Sequence, residues 1–131
     1  MARPYAPLDH ASIAVGDLAA SAAFYDAALA PLGLARAKAA ARAIGYGPGH
    51  PVFWIIERGS EGRAKAGLGL HFCFGAQTRA AVDAFHSTAL AHGGSDNGAP
   101  GLRPEYHPHY YGAFVLDPDG YKLGAVCHRA E

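Results

Sequence analysis

Apolar and polar positions alternate along two stretches of the chain and then give way to a longer period, and this change marks the predicted elements. His10–Val15 and Leu70–Phe74 follow a period of two, which predicts half-buried β-strands. The stretch after each strand has apolar residues at a period near 3.6, which predicts an amphipathic helix. The apolar stripes of the two helices are Leu18, Ala22, Tyr25, Leu29 and Leu32 in the first, and Val82, Phe85 and Ala89 in the second.

Both predicted helices carry signals for their ends. Asp17 and Thr78 precede the helical periods, and a short polar side chain at that position accepts a hydrogen bond from a free backbone N–H. Gly33 and the pair Gly93–Gly94 follow the last periodic residues, where glycine commonly ends a helix. We therefore expect one helix in each half of the chain.

The two strand and helix segments are similar to each other at a fixed spacing. Leu8–Gly33 aligns with Gly69–Gly94 without a gap, at an offset of 61 residues. Such self-similarity predicts an internal duplication. The matched residues are His10 with His71, Ala19 and Ala20 with Ala80 and Ala81, Phe24 with Phe85, Ala28 and Leu29 with Ala89 and Leu90, and Gly33 with Gly94.

Shorter β-like runs follow each helix, so each half is predicted to be a βαβββ module. These runs are ARAIGYG and PVFWIIE in the first half, and YYGAFVLD and YKLGAVCH in the second, the last two joined by the turn DPDG. The fold class is therefore α+β, with one domain over residues 1–131. Module 1 is expected at about 6–57 and module 2 at about 68–129, joined by a polar linker at 58–67.

The strand parity predicts which side chains lie away from the helices. Apolar residues on a strand covered by a helix belong on the covered face, and the alternate residues belong on the open face. The covered set is Ala11, Ile13, Val15, Phe53, Ile55, Leu70, Phe72, Phe74, Leu123, Ala125 and Cys127. The open set is His10, Ser12, Ala14, Trp54, His71, Cys73, Gly75, Lys122, Gly124, Val126 and His128. We expect the open faces of the two halves to line a shared cleft.

Composition excludes several classes of partner. The chain has 11 Lys and Arg against 11 Asp and Glu, so it lacks the basic field that nucleic acid or an anionic membrane requires. No apolar stretch approaches the roughly 20 residues that span a bilayer, and no secretory signal pattern is present, so a cytoplasmic protein is expected. The only cysteines, Cys73 and Cys127, form no CxxC motif.

The sequence resembles the vicinal oxygen chelate superfamily, which includes the glyoxalase I, bleomycin resistance and extradiol dioxygenase families. The residues that carry the resemblance are LDHASIAVGDLAASAAFYDAALAPLGL, the segment HFCF and the hairpin AFVLDPDGYKLGAV. The resemblance implies two βαβββ modules whose curved mixed sheets form a cup, commonly in a homodimer.

The resemblance also implies a metal site and its positions in this chain. Metal-using members hold one divalent ion, such as Zn, Ni, Fe or Mn, with ligands from the first and last strands of each module. The corresponding residues here are His10, Trp54, His71 and Gly124. Two of these side chains cannot donate to a metal, and Gly124 stands where such members usually have glutamate.

Other residues near the predicted cleft could replace the missing metal ligands. His128 lies on the same predicted face as Gly124, and Glu57 ends the equivalent strand with a parity that points toward the helix. The segment Arg103–Gly112 carries Tyr110 and Tyr111, which are expected either to pack at a sheet edge or to close over the cleft. Trp54 is expected to form a cleft wall.

Three functions remain open from the sequence. The first is a metal-free protein that binds a small organic molecule. The second is a metal-dependent lyase resembling lactoylglutathione lyase, an isomerase or a dioxygenase, with His10 and His71 as ligands or as acid and base. The third is an interaction module on a ferredoxin-like plan, which fits the histidine-bearing strand faces less well.

Overall fold

The computed structural model describes residues 5–59 and 70–131, and it contains two helices and eight strands in that part of the chain. The first half comprises β1 (Ala11–Val15), α1 (Leu18–Leu29), a short 3-10 helix (Ala30–Leu32), β2 (Ala35–Ala40), β3 (Ala43–Gly47) and β4 (Phe53–Glu57). The second half comprises β5 (His71–Gly75), α2 (Arg79–Ala91), β6 (Ser95–Leu102), β7 (Tyr111–Leu116) and β8 (Lys122–Cys127). Neither of these helices combines the length and the hydrophobicity that a membrane crossing requires.

The strands form two four-stranded mixed sheets with the same topology. Their orders are β1-β4-β3-β2 and β5-β8-β7-β6. In each sheet the first and last strands of the module pair in parallel, and the other neighbours pair antiparallel. The predicted α+β fold of two tandem βαβββ modules is confirmed.

The helix ends are those that the sequence predicts. Asp17 caps α1 by accepting a 3.2 Å hydrogen bond from the backbone N–H of Ala20. Thr78 caps α2 in the same way through a 3.0 Å bond from Ala81. Gly33 ends the 3-10 turn after α1 with φ of 80°, a left-handed conformation that glycine adopts without steric cost.

The core lies on the helix-facing sides of the two sheets, as the alternation predicts. Val15, Ile55 and Leu123 are fully buried there together with Phe24 of α1 and Phe85 of α2. The neighbouring residues on the strands are more exposed at β1 and β5, where the period-2 pattern is clearest. Burial of large apolar side chains contributes roughly 1.5–3 kcal/mol each, so these faces fix the strand orientation.

The β7–β8 turn joins module 2 to module 1 through polar contacts. The Asp117 carboxylate accepts a hydrogen bond from the Tyr25 hydroxyl of α1, and both residues are buried. The Tyr121 hydroxyl donates to the carbonyl of Ala14 at 2.7 Å, and Asp119 accepts from the N–H of Gly16 at 3.2 Å. The DPDG turn is therefore an anchor between the modules as well as a hairpin connection.

The edge strands β2 and β6 were absent from the β-like runs found in the sequence, although a βαβββ module requires a third strand after each helix. All six residues of β2 are exposed, and β6 contains Gly98, Pro100 and Gly101. Both strands lie at sheet edges, so each pairs on one side only and needs little apolar character. The predicted linker at 58–67 lies outside the described residues except for Arg58 and Gly59.

Candidate functional site

A cleft of about 400 Å³ lies between the start of β1, the start of β4 and the strand β5. Asp9, His10, His71 and Cys73 contribute its polar side chains. Its apolar walls include Leu8, Leu34, Val52, Phe53, Phe72 and Phe74. The two repeat-related histidines therefore line one cleft. His10 is held by a 2.7 Å contact between its Nδ1 and the Asp9 carboxylate.

His71 has a different environment from His10. It pairs across the sheet with Lys122, and its ring centroid lies 5.6 Å from that of Phe114. Partial burial lowers the pKa of His71, and the positive charge of Lys122 lowers it further. Both effects disfavour the protonated imidazole. His71 is therefore a neutral donor or acceptor at neutral pH.

Gly124 lies beneath the ring of Phe114. It pairs with Cys73 on one side and with Phe114 on the other. A Cβ placed at Gly124 would lie 2.8 Å from two ring carbons of Phe114 and 3.1 Å from the Cys73 sulfur. Because real Cβ atoms essentially never approach other heavy atoms this closely, the aromatic ring already fills the space in which a longer side chain would begin.

The donor set does not fit the metal that the resemblance implies. Trp54 and Gly124 have no metal-ligating atom in their side chains, and the Lys122 ammonium beside His71 opposes a second positive charge. Glu57 is used elsewhere, because its carboxylate accepts a 2.9 Å bond from the N–H of Leu18 at the start of α1. Within residues 5–59 and 70–131, no three His, Cys, Asp or Glu side chains are grouped as metal ligands.

Phe114 is also the centre of a basic cluster. The guanidinium carbon of Arg103 lies 5.6 Å from the ring centroid, and the Lys122 ammonium nitrogen lies 5.1 Å from it. Two backbone carbonyls orient Arg103, at 2.9 Å from Gly101 and 2.7 Å from Ala99. We call Phe114, Arg103, Lys122 and His71 the Phe114 cluster. Sequence analysis did not single out Phe114 or Arg103, although the parity of β7 places Phe114 opposite Gly124.

The loop before β7 contributes Tyr110 to the same face. Its side chain interacts with that of Cys73, and burial raises the pKa of both groups. His128 contacts this loop as well: its Nδ1 lies 2.7 Å from Nε2 of His107, and its ring lies 5.5 Å from that of Tyr110. His128, considered as a replacement metal donor, is thus paired with another imidazole.

The Tyr111 side chain lies against α2, and its part in ligand binding stays a prediction. Its hydroxyl donates a 2.6 Å hydrogen bond to Asp83 of α2, and Arg79 of α2 lies over its ring at 5.2 Å. Tyr111 pairs with Cys127, which is buried on the helix-facing side, so the parity of β7 directs Tyr111 the same way. Successive residues of a strand point to opposite faces of the sheet.

Ser12 and Trp54 belong to the other sheet. They pair with each other across β1 and β4, and Trp54 also pairs with Gly45 of β3. A Cβ at Gly45 would lie 2.9 Å from two atoms of the indole, so the ring packs against its own sheet. Neither Ser12 nor Trp54 is among the described residues that line the 400 Å³ cleft. Their part in ligand binding stays a prediction.

Comparison with known proteins identifies the relatives of this fold. Residues 7–124 match the family model of the Glyoxalase/Bleomycin resistance protein/Dioxygenase superfamily. A glyoxalase/bleomycin resistance protein from Albidiferax ferrireducens T118 is 33% identical, with a TM-score of 0.80 over 92% of this chain and 98% of the other. No curated protein matches the sequence.

A second solved structure resembles the chain in fold alone. It is a glyoxalase/bleomycin resistance protein/dioxygenase family enzyme from Burkholderia phytofirmans PsJN, 21% identical, with a TM-score of 0.72 over 95% of this chain and all of the other. The agreement covers both modules, so the duplicated architecture is shared along the whole length of that protein.

Proposed function

Because the chain belongs to the Glyoxalase/Bleomycin resistance protein/Dioxygenase superfamily, we propose that it binds a small organic molecule in the cleft beside β5 without the help of a divalent metal. The cleft has apolar walls and a few polar side chains, which is the usual construction of a small-molecule site. Its volume of about 400 Å³ suits a compact ligand.

The ring of Phe114 over Gly124 is the observation that carries this proposal. A 2-His-1-carboxylate site needs its carboxylate to hold the ion with three protein donors. The resemblance assigns that carboxylate to the position of Gly124, and two carbons of the Phe114 ring lie 2.8 Å from where a Cβ would stand there. Two imidazoles with an ammonium group near one of them form a poor site for a divalent cation.

A second candidate function is supported by the two histidines in one cleft. His10 and His71 both line the cleft, and the lowered pKa of His71 keeps its imidazole neutral and able to accept a proton. This arrangement would serve a lyase, isomerase or dioxygenase of the same superfamily. The homodimer and the cytoplasmic location stay predictions beside either function.

A fragment titration with and without chelator distinguishes metal-free ligand binding from binding that requires a metal ion. We expect organic fragments that shift the NMR resonances of His71 and Cys73 to do so equally well in EDTA. His71→Ala should weaken their binding about 3- to 10-fold through the loss of a polar partner. His92→Ala is the matched control, because His92 is exposed at the end of α2, where its ring contacts the carbonyl of Thr88.

Loss of fragment binding in EDTA, with recovery on addition of Zn²⁺, Ni²⁺, Fe²⁺ or Mn²⁺, would contradict the proposal and favour the metal-dependent enzyme. Fragment binding that is unaffected by His71→Ala would place the ligand outside this cleft.

A further inference from the structure

We propose that the ligand is an organic anion whose negative group binds at the Phe114 cluster while its apolar part occupies the adjoining cleft. This inference rests on the proposed function and specifies the chemical class of the ligand. It is carried by the arrangement of charge on the open face of module 2.

Two permanent positive charges lie close to one buried ring. The Arg103 guanidinium and the Lys122 ammonium lie 5.6 and 5.1 Å from the centroid of Phe114, and the His71 ring lies 5.6 Å from it. Cation–π attraction compensates part of the mutual repulsion of the cations. Within the described part of the chain, neither Arg103 nor Lys122 has a carboxylate within 4.0 Å. An anion would supply the missing counter-charge.

The acidic side chains of module 2 are directed elsewhere, apart from Glu105 in the exposed loop before β7. Asp83 accepts from Tyr111, and Asp96 contacts His86, both on the side of α2. Asp117 and Asp119 face module 1 through Tyr25 and Gly16. Glu131 accepts from the backbone N–H of Arg79. Apart from Glu105, the carboxylates of this module therefore lie toward the helix or module 1, whereas the cluster lies on the open face.

The Phe114 cluster is built into the sheet. Phe114 pairs with Gly98 of β6 on one side and with Gly124 of β8 on the other, so glycines flank the ring on both neighbouring strands. Cβ atoms at these positions would approach the ring to 3.0 and 2.8 Å. The two glycines thus make space for the ring.

The cluster continues into the cleft through two residues of β5. His71 contacts Phe114, and Cys73 lies beside Gly124; both side chains also line the cleft. A molecule with a carboxylate at the cluster can therefore extend its organic part along His71 and Cys73 toward the cleft. This combination favours an organic carboxylate or phosphonate over a bare inorganic anion.

A set of isosteric probes tests the charge requirement directly. Benzoate, benzamide and benzylamine differ in charge at nearly constant shape, and inorganic phosphate adds an anion without an apolar body. We expect benzoate to bind more tightly than the other three in NMR titrations, with shifts at Phe114, Lys122 and His71. Its affinity should fall as ionic strength rises to about 0.5 M, because partly exposed charges are screened.

Charge-removing variants provide the second readout. Lys122→Gln and Arg103→Gln should each weaken benzoate binding about 3- to 10-fold and leave benzamide binding unchanged, because each removes one partly exposed charge. Lys38→Gln is the matched control, since Lys38 lies on the exposed strand β2 of the other sheet. Thermal unfolding of each variant verifies that it is folded.

The outcomes also separate this inference from the proposed function. Benzamide binding as tightly as benzoate, or benzoate binding unaffected by Lys122→Gln and Arg103→Gln, overturns the anion site and leaves metal-free binding in place. No shift with benzoate or phosphate at tens of millimolar overturns it as well. Benzoate binding that requires added divalent metal contradicts the proposed function instead.

Discussion

Gly124→Glu is expected to destabilise the protein by about 1–3 kcal/mol and to create no tight metal site, because a larger side chain in a filled space forces its neighbours apart. The Phe114 ring and the Cys73 sulfur lie 2.8 and 3.1 Å from the position that the new Cβ would take. Urea denaturation measures the loss of stability, and calorimetric titration with Zn²⁺ or Ni²⁺ measures metal binding.

Gly75→Glu is the matched control for this substitution. Gly75 lies on the adjacent strand β5, and a Cβ there would meet no atom within 4 Å. It should cost little stability. The double variant Phe114→Ala with Gly124→Glu removes the ring and supplies a carboxylate, so it should gain metal affinity relative to the single variant. Full stability of Gly124→Glu, or tight metal binding by it, would show that Phe114 does not fill the carboxylate position.

Asp117→Ala is expected to cost about 3 kcal/mol or more in the free energy of unfolding. The Asp117 carboxylate is 4% exposed, and it accepts from the Tyr25 hydroxyl and from the N–H groups of Asp119 and Tyr121. Its removal leaves these donors buried without an acceptor, at roughly 1–3 kcal/mol for each unsatisfied group and less than additively. Urea denaturation monitored by circular dichroism measures the change.

Two further variants define the cause of that loss. Tyr25→Phe removes one donor to a charged group and should cost about 1.5–3 kcal/mol. Asp96→Ala is the control, since Asp96 is an exposed aspartate that contacts only its own strand and the His86 ring. It should cost far less than Asp117→Ala. Equal effects of Asp117→Ala and Asp96→Ala would contradict the role of the β7–β8 turn as an anchor.

Stability is expected to depend on pH through the same carboxyl group. Burial raises the pKa of Asp117 above its ordinary value. The folded state therefore holds this proton more tightly than the unfolded state, so this contribution to stability is present at low pH. It is lost as pH rises from about 4 through the raised pKa. Asp117→Asn cannot ionise. Its free energy of unfolding, relative to that of the parent protein, should therefore be higher above this pH range than below it.

The sequence predicts the architecture well, because periodicity and caps are local signals. Strand parity assigns Ile13, Phe53 and Leu123 to the helix-facing sides, and each is buried. The capping role of Asp17 depends on residues within one turn of it. Periodicity does not predict edge strands such as Ala35–Ala40, because a strand that is paired on one side and exposed throughout has no apolar period.

The candidate site is harder to predict, because its properties arise between strands that are distant in sequence. The resemblance predicts that Gly124 occupies the position of a lost carboxylate, but the ring that covers it comes from β7 and depends on the register of Phe114 with Gly124. The parity of β7 also decides that Tyr111 faces α2 while Phe114 faces the open side. Arg103 enters the site from a loop that has no periodic signal.

Metal binding to the unmodified, chelator-treated protein tests the central claim most directly. Calorimetric titration with Zn²⁺ and Ni²⁺, monitored in parallel through the imidazole NMR resonances of His10 and His71, reports affinity and location together. Metal-free binding, with Phe114 covering Gly124, predicts no saturable event tighter than about 10 µM and no joint shift of the two imidazoles. One equivalent of metal bound per chain, with both imidazoles shifting together, would contradict it.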